Sequence, residues 1–532
     1  MTKPPSTPST ASATNGKIGR AQWLALAAAL LGWMFDGMEM GVFSMVGKPA
    51  LEDLLTRSAE TALSGDALKT LVGFWFGVIL ACFLVGAATG GVLFGWLGDR
   101  IGRVRAMTLS VLTYALFTGL CGLSQNGTQL GILRFIASLG MGGEWSLGVA
   151  LVMEAWPNRS RAFMAGLIGA AGNFGYMLVG FIGLGLASGL QTITGWLTKS
   201  GLPEDWVAAL TQHQGWRLLM VVGTLPALLT FLIRMFVPES ESWEQEKKSG
   251  ATSHWSAVDL LGVLVGAAGP GLMIYLWSAS EISLGVKLGG TVFCVLLATG
   301  GYLYPVLRYL QRLAAAHPKA QHHWQPTVRR MLLAAGLSGV ALLGTWGSMQ
   351  WAPSWADQLS EPTKISNPGQ HAKEWTQICA ALGAILGTIT AAMVGDWIGR
   401  RITYSILCVL SIISLLWLYR AHTEFDNSFL LATFIAGACS ASFYGWLPLY
   451  LPELFRTQIR ATGQGFGFNF GRIIAAIGTL QTGSLFAPKI ELFNQTFDGG
   501  YPFACAIMTA IYLVGIVLIW FGPETLGKPL PE

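Results

Sequence analysis

The feature that most constrains this chain is a succession of apolar runs, each close to or above 20 residues and nearly bare of charge, separated by polar turns. A helix needs about 20 consecutive apolar residues to cross a hydrocarbon core of about 30 Å. Such runs lie near 22–46, 71–98, 104–124, 128–153, 162–187 and 216–237, then near 257–278 and 285–310. Six more lie near 331–354, 376–395, 402–419, 427–450, 461–487 and 502–521, for a total of about 14 spans. Composition agrees. Of 532 residues 52% are hydrophobic and 11% charged, whereas a soluble domain carries about 25% charge. The chain reads as an all-α integral membrane protein. The 21 Trp and 67 Gly suit interfaces and close helix packing. A net charge of +5 collects at helix ends and calls for no nucleic acid partner. Seven scattered Cys without a CxxC suggest neither a disulfide framework nor a zinc site. All His fall in loops, which argues against a histidine proton relay in the membrane.

Two loops repeat. Gly95-Trp-Leu-Gly-Asp-Arg-Ile-Gly-Arg-Val-Arg105 joins two apolar runs, and Gly395-Asp-Trp-Ile-Gly-Arg-Arg401 stands about 297 residues later. In both an Asp is followed four residues on by Gly-Arg: Asp99 to Arg103 and Asp396 to Arg400. A second pair, Glu154 to Arg161 and Glu453 to Arg460, repeats at an offset of about 299. Two repeats at nearly one offset indicate an internal duplication.

The loop G-x-x-x-D-R-x-G-R-x-R resembles the one between the second and third helices of the major facilitator superfamily. Members of that family are secondary transporters built from two six-helix halves. Arg460-Ala-Thr-Gly-Gln-Gly465, Pro238-Glu-Ser-Glu-Ser-Trp243 and Pro523-Glu-Thr-Leu-Gly-Lys528 resemble sugar-porter-like members. The implied architecture is a major facilitator fold with an inserted two-helix hairpin. Residues 1–20 form a disordered cytoplasmic tail and 21–240 the first half. Residues 241–330 hold the hairpin, turning at Glu281, and a basic segment with His317, Lys319, His322, His323, Arg329 and Arg330. The second half spans 331–523, before a cytoplasmic tail over 524–532. With both termini cytoplasmic, Lys and Arg fall mostly on the inner side, as positive-inside topology requires.

The repeated loop charges read as a cytoplasmic gate of modest ion pairs that must part each time the halves rock. Asp99, Arg100, Arg103, Glu154 and Arg161 serve the first half, and Asp396, Arg400, Glu453 and Arg460 the second. Arg105, Arg159 and Arg401 read equally well as ordinary loop charge.

Charges inside spans carry more information, since each costs at least about 2.5–3.5 kcal/mol at bilayer depth. They are Asp36 and Glu39 in the first helix, Arg134 and Glu144 in the fourth, and Arg472 in the eleventh helix of the common plan. The resemblance implies that Asp36 pairs with Arg134 in proton coupling, with Glu39 and Glu144 alongside. The alternative for each is a structural ion pair. Asp36-Gly-Met-Glu39, Gly140-Met-Gly-Gly-Glu-Trp145 and Asn469-Phe-Gly-Arg472 resemble aromatic-acid, sialate and monocarboxylate symporters. Arg472 offers a carboxylate a fixed fork of donors, with Asn469 three residues away on the same face. Asn173, Tyr176, Trp346, Gln350 and Tyr444 are further cavity candidates, as are Trp351 and Trp446. For the aromatics, core packing is an equal alternative.

These observations predict a proton-coupled symporter for a small organic acid, monomeric, in the inner membrane, with no cofactor besides the proton gradient. A sugar or polyol porter and a non-transporting nutrient sensor are the alternatives. No nucleophile–base or metal constellation supports an enzyme.

Overall fold

The computed structural model describes residues 19–531 apart from 59–64, 225–227, 231–233, 280, 317–323, 365–369, 481–488 and 493–494. Among these, 12 helices are long and apolar enough to cross a membrane. They include both arms of the expected insert, Leu260–Ser278 and Leu284–Ala316. Two expected spans are not among the 12, and each contains residues outside the described ones. The run near 216–237 contains the helix Trp216–Val222. The run near 461–487 contains the helices Arg460–Asn469 and Gly471–Leu480, parted by a turn at Phe470. The basic residues His317, Lys319, His322 and His323 and most of the N-terminal tail lie outside the described residues.

The first half begins with α1 (Arg20–Ser58), α2 (Gly65–Ile101), α3 (Arg103–Cys121), α4 (Gly127–Ala155) and α5 (Arg161–Lys199). Local chemistry sets several ends, and it repeats between halves. Asn126 caps α4 through a bond from the Gln129 amide at 2.9 Å, and Asp426 caps Asn427–Ser440 through the Phe429 amide at 2.7 Å. A side-chain oxygen there satisfies a helix-terminal N–H that would otherwise lack a partner. Gly102 and Gly399 stand just before Arg103 and Arg400 with φ of 117° and 101°, a region that side chains with a Cβ avoid. The turn shared by the two repeats is therefore a backbone requirement, which a charged loop alone does not explain.

In lipid no hydrophobic force draws helices together, so small residues that allow close approach decide the packing. A Cβ on Gly37 of α1 would stand 1.8 Å from the Gly172 carbonyl oxygen of α5. The inserted arms pack on each other and against α2, where Tyr302 and Thr89 share a hydrogen bond of 2.7 Å between hydroxyls. The first arm also touches Gly471–Leu480, so the insert lies along the seam where α2 meets the second half. At its base Trp255 stacks on Tyr309 at 4.3 Å, and Arg312 pairs with Asp259. Beyond the bundle, α5 runs on to Lys199, past the expected end near 187, and Lys489–Leu492 pairs with Gln495–Asp498 as a short antiparallel ribbon.

Candidate functional site

A cavity of about 110 Å³ lies between the halves. A volume of 10–15 Å³ on this measure holds one water, so the space suits a few waters or one small ligand. The first half contributes Trp33, Met40, Gly172, Asn173 and Tyr176. The second contributes Leu342, Thr345, Trp346, Met349, Gln350, Pro353, Tyr444, Phe468 and Arg472, with a wall of Ala380, Ala381, Ala384, Gly437 and Ala441. The sequence candidates Asn173, Tyr176, Trp346, Gln350, Tyr444 and Arg472 thus meet in one place. Asn173 turns its amide to the Gly169 carbonyl at 2.9 Å, a bond within its own helix. Gln350 bonds Ser44 across the halves, and Gln377 bonds the Tyr176 carbonyl at 2.8 Å. Trp351 packs against Phe76, and Trp446 is buried against Tyr404 and Tyr450, so both belong to packing.

Among the described residues, Arg472 is the one charged side chain lining this cavity. It is 6% exposed, and its Nε and Nη1 have no hydrogen-bond partner among the described residues. No ion pair to it occurs among the described residues. The guanidinium lies 5.5 Å from the Phe468 ring centre, and Phe468 stacks on Trp145 at 3.7 Å. Asn469 does not share this face, contrary to the helical spacing. Phe470 between them keeps helical angles (φ −57°, ψ −36°), so the two residues differ in the partners their side chains take. Asn469 instead donates to Gly142 at 3.0 Å and Gly465 at 3.1 Å and does not line the cavity.

Beside the cavity the first half encloses five charges. The implied pairing of Asp36 with Arg134 is corrected. Arg134 pairs with Glu39, and its guanidinium lies over Phe43 and Phe83 at 4.5 and 4.8 Å. Glu144 pairs with Arg234, which the sequence reading missed although it lies inside a recognised apolar run. Gly32 makes room for that pair, since a Cβ there would stand 1.6 Å from a Glu144 oxygen. Asp36 is 5% exposed, has an unpartnered Oδ1, and forms no ion pair among the described residues. The charges that act on it are Glu144, Glu39, Arg234 and Arg472. Three acids therefore face two arginines, and the third acid is Asp36.

The repeated loops meet at one end of the bundle. Arg103 donates to Asp99 at 2.7 Å, Gly98 at 2.8 Å and Glu154 at 3.3 Å. Arg400 copies this with Gly395 at 2.6 Å, Asp396 at 3.3 Å and Glu453 at 2.7 Å. Two acids outside the expected set complete the copies. Glu239 accepts from the Arg103 amide at 2.7 Å, and Glu524 from the Arg400 amide at 3.0 Å. Ser240 donates to Glu154 and Thr525 to Glu453, each at 2.5 Å. The signal was present as Pro-Glu-Ser and Pro-Glu-Thr after the sixth and last apolar runs. Burial alone would raise the Glu524 carboxyl. Backbone N–H groups of Arg400, Arg401, Leu526 and Thr525 outweigh it and hold that carboxyl below the usual range.

The expected allocation of this network to separate halves is also corrected. Arg460 reaches across to Glu154 at 2.8 Å. Asp99 accepts from the Ala461 amide at 3.2 Å, the Thr462 amide at 2.8 Å and the Thr462 hydroxyl at 2.6 Å. Arg161 bonds the Met153 carbonyl at 3.1 Å and lines a groove with Asp396, Arg400 and Glu453 of the other half. Arg100 lies over Trp96 at 5.0 Å and takes no part in these pairs. The physical reason is proximity: a Cβ on Gly465 would stand 1.9 Å from the Gly91 carbonyl oxygen, so opposing loops are within reach. This end is sealed between α2 and the Arg460–Asn469 helix. Contacts at the far end include Gln350 with Ser44 and Lys373 with the Met45 carbonyl at 3.1 Å.

Comparison with known proteins adds to this geometry. A family model described as sugar (and other) transporter matches residues 24–257 and 343–526 and leaves out the insert. A putative metabolite transport protein of Haemophilus influenzae is 27% identical over 516 residues, covering 97% of this chain and 99% of the relative. A cis,cis-muconate transport protein of Acinetobacter baylyi is 26% identical over 500 residues, covering 93% and 96%. Among solved structures, the proton:xylose symporter XylE shares the fold with a TM-score of 0.63 at 17% identity, covering 97% of this chain and 98% of that one.

Proposed function

Since the chain belongs to the sugar (and other) transporter family, and so is a multi-pass membrane transporter rather than an enzyme, we propose that it carries a small organic anion together with a proton. The observation that supports this most is Arg472, a buried cation facing the cavity without a counter-ion among the described residues. Arginine stays charged in proteins, and its planar fork matches a carboxylate in two places at once. Leaving it unpaired in a low-dielectric site is costly, so the cavity favours an anion over a neutral sugar. Small apolar side chains and aromatic rings make up most of the remaining wall, and Asn173 and Gln350 direct their amides to Gly169 and Ser44. The muconate named for one relative is an organic acid of the same kind.

The proton has a candidate in Asp36. Glu39 and Glu144 each hold an arginine, which leaves Asp36 to exchange a proton as water enters and leaves its surroundings. Coupling then follows from alternating access, with the two halves rocking about the cavity. In this reading the sealed end, with both termini, faces the cytoplasm, because Lys and Arg are in excess on that side, and the protein works as a monomer in the inner membrane.

Counterflow in proteoliposomes tests this reading. Vesicles loaded with a panel of aromatic, unsaturated and short-chain carboxylates should exchange labelled carboxylate, and an inward proton gradient should drive accumulation. Exchange of sugars or of the matching amides at equal rates would refute the anion. Binding without flux would make the protein a sensor.

A further inference from the structure

The basic segment before the second half is not used by the transport reading, and the structure gives part of it a place. Arg329 and Arg330 of the Trp324–Gly347 helix and Arg401 of the Arg400–Ala421 helix line one groove with Phe521, Gly522 and Pro523. The groove measures about 800 Å³, and among the described residues no carboxylate lines it. Arg401 directs Nε to the Gly522 carbonyl at 2.9 Å, and Arg330 directs Nη1 to the Leu454 carbonyl at 3.2 Å. Arg329 has no hydrogen bond or ion pair among the described residues. Glu524 stands nearby, but its oxygens are taken by the amides of Arg400, Arg401, Thr525 and Leu526. Three guanidinium groups around one groove repel one another, and most of their donors remain open.

The surroundings say where the missing anion comes from. Phe521 of the groove is 62% exposed, and Trp520 and Trp397, at the helix ends just before Gly522 and Gly399, are 54% and 80% exposed. Exposed aromatic rings at helix ends belong at the headgroup level of a bilayer. Basic grooves between helices at that level bind the phosphate of anionic lipids.

We infer that the groove of Arg329, Arg330 and Arg401 is a binding site for the phosphate of an anionic phospholipid, with its acyl chains along the exposed apolar flank. It is separate from the transport cavity and uses none of its residues. Full-length protein in nanodiscs of neutral phosphatidylcholine, titrated with fluorescent phosphatidylglycerol, tests it. Energy transfer from protein Trp should report a site at least tenfold tighter for phosphatidylglycerol than for labelled phosphatidylcholine. Arg329→Gln with Arg330→Gln should weaken it about fivefold for each arginine. Arg308→Gln, an exposed arginine on the insert, should leave it unchanged. Equal affinity of the wild-type protein for both lipids overturns the inference, as does an equal loss in Arg308→Gln. Displacement by millimolar inorganic phosphate would make the ligand a soluble anion and overturn the lipid assignment.

Discussion

Replacing Thr462 by Val should loosen the seal between the halves. The Thr462 hydroxyl donates to Asp99 at 2.6 Å, and both residues are buried. The bond joins α2 to the second half, so it exists only while this end is closed. A hydrogen bond to a charged group contributes about 1.5–3 kcal/mol. Losing it should move the closed–open balance by roughly 10- to 150-fold. The amides of Ala461 and Thr462 still reach Asp99, so the fold should survive. Ser146 offers a reporter: it is buried, and a Cβ on Gly465 would stand 3.4 Å from its hydroxyl. In a Ser146→Cys background, alkylation by an impermeant reagent from this side should be slow, and Thr462→Val should speed it at least about tenfold. The same protein without Ser146→Cys corrects for the seven native cysteines. Unchanged or slower alkylation would refute the claim that this bond holds the seal.

Asp36→Asn should abolish uptake driven by a proton gradient while leaving exchange of substrate. Concentrative uptake by this variant, measured in vesicles with an imposed gradient, would remove Asp36 as the carrier. The insert should cross the bilayer, so Glu281→Cys should react with impermeant reagents applied on the face opposite Asp99; labelling from the Asp99 face alone would contradict a spanning hairpin. Glu524 gives a pH dependence. Its carboxyl is held below the usual range in the folded protein, so its contribution is present above the unfolded value of about 4.3 and lost as pH falls through the lower folded one. Glu524→Gln should therefore lower the melting temperature by a constant amount from about pH 5 to 8, and the gap should close below about pH 4. A gap that widens on acidification would contradict this sign.

The fold was legible because bilayer thickness forces long apolar runs, and the duplication was legible because Asp99 and Asp396 stand in equivalent loops. What escaped the sequence were choices among partners. Asp36 and Glu39 lie three residues apart on α1, and spacing alone does not say which one Arg134 reaches; Arg134 takes Glu39, and Asp36 is left among the charges of Glu144, Arg234 and Arg472. Helical spacing puts Asn469 beside Arg472, but it does not show that the Asn469 amide turns to the Gly142 and Gly465 carbonyls. Arg460 was assigned to its own half because a linear reading does not show that the Gly91 and Gly465 backbones touch and bring Glu154 within reach. Glu239 and Glu524 were visible as a repeated Pro-Glu motif, yet their capping of Arg103 and Arg400 needed coordinates.

In the proposed mechanism Arg472 holds the substrate's negative charge. Trp33 and Trp346 line the same cavity, so ligand binding can be followed by quenching of their fluorescence. The measurement is the dissociation constant of a transported carboxylate and of its neutral amide in wild-type protein, Arg472→Lys and Arg472→Gln. Losing one member of a buried charge pair costs about 2–5 kcal/mol. The Gln variant should therefore bind the acid at least about 30-fold more weakly, and the Lys variant, which keeps the charge without the fork, should fall between. The amide should change by less than about threefold. Equal losses for acid and amide would mean that Arg472 supports the cavity without meeting the anion, and would contradict the account.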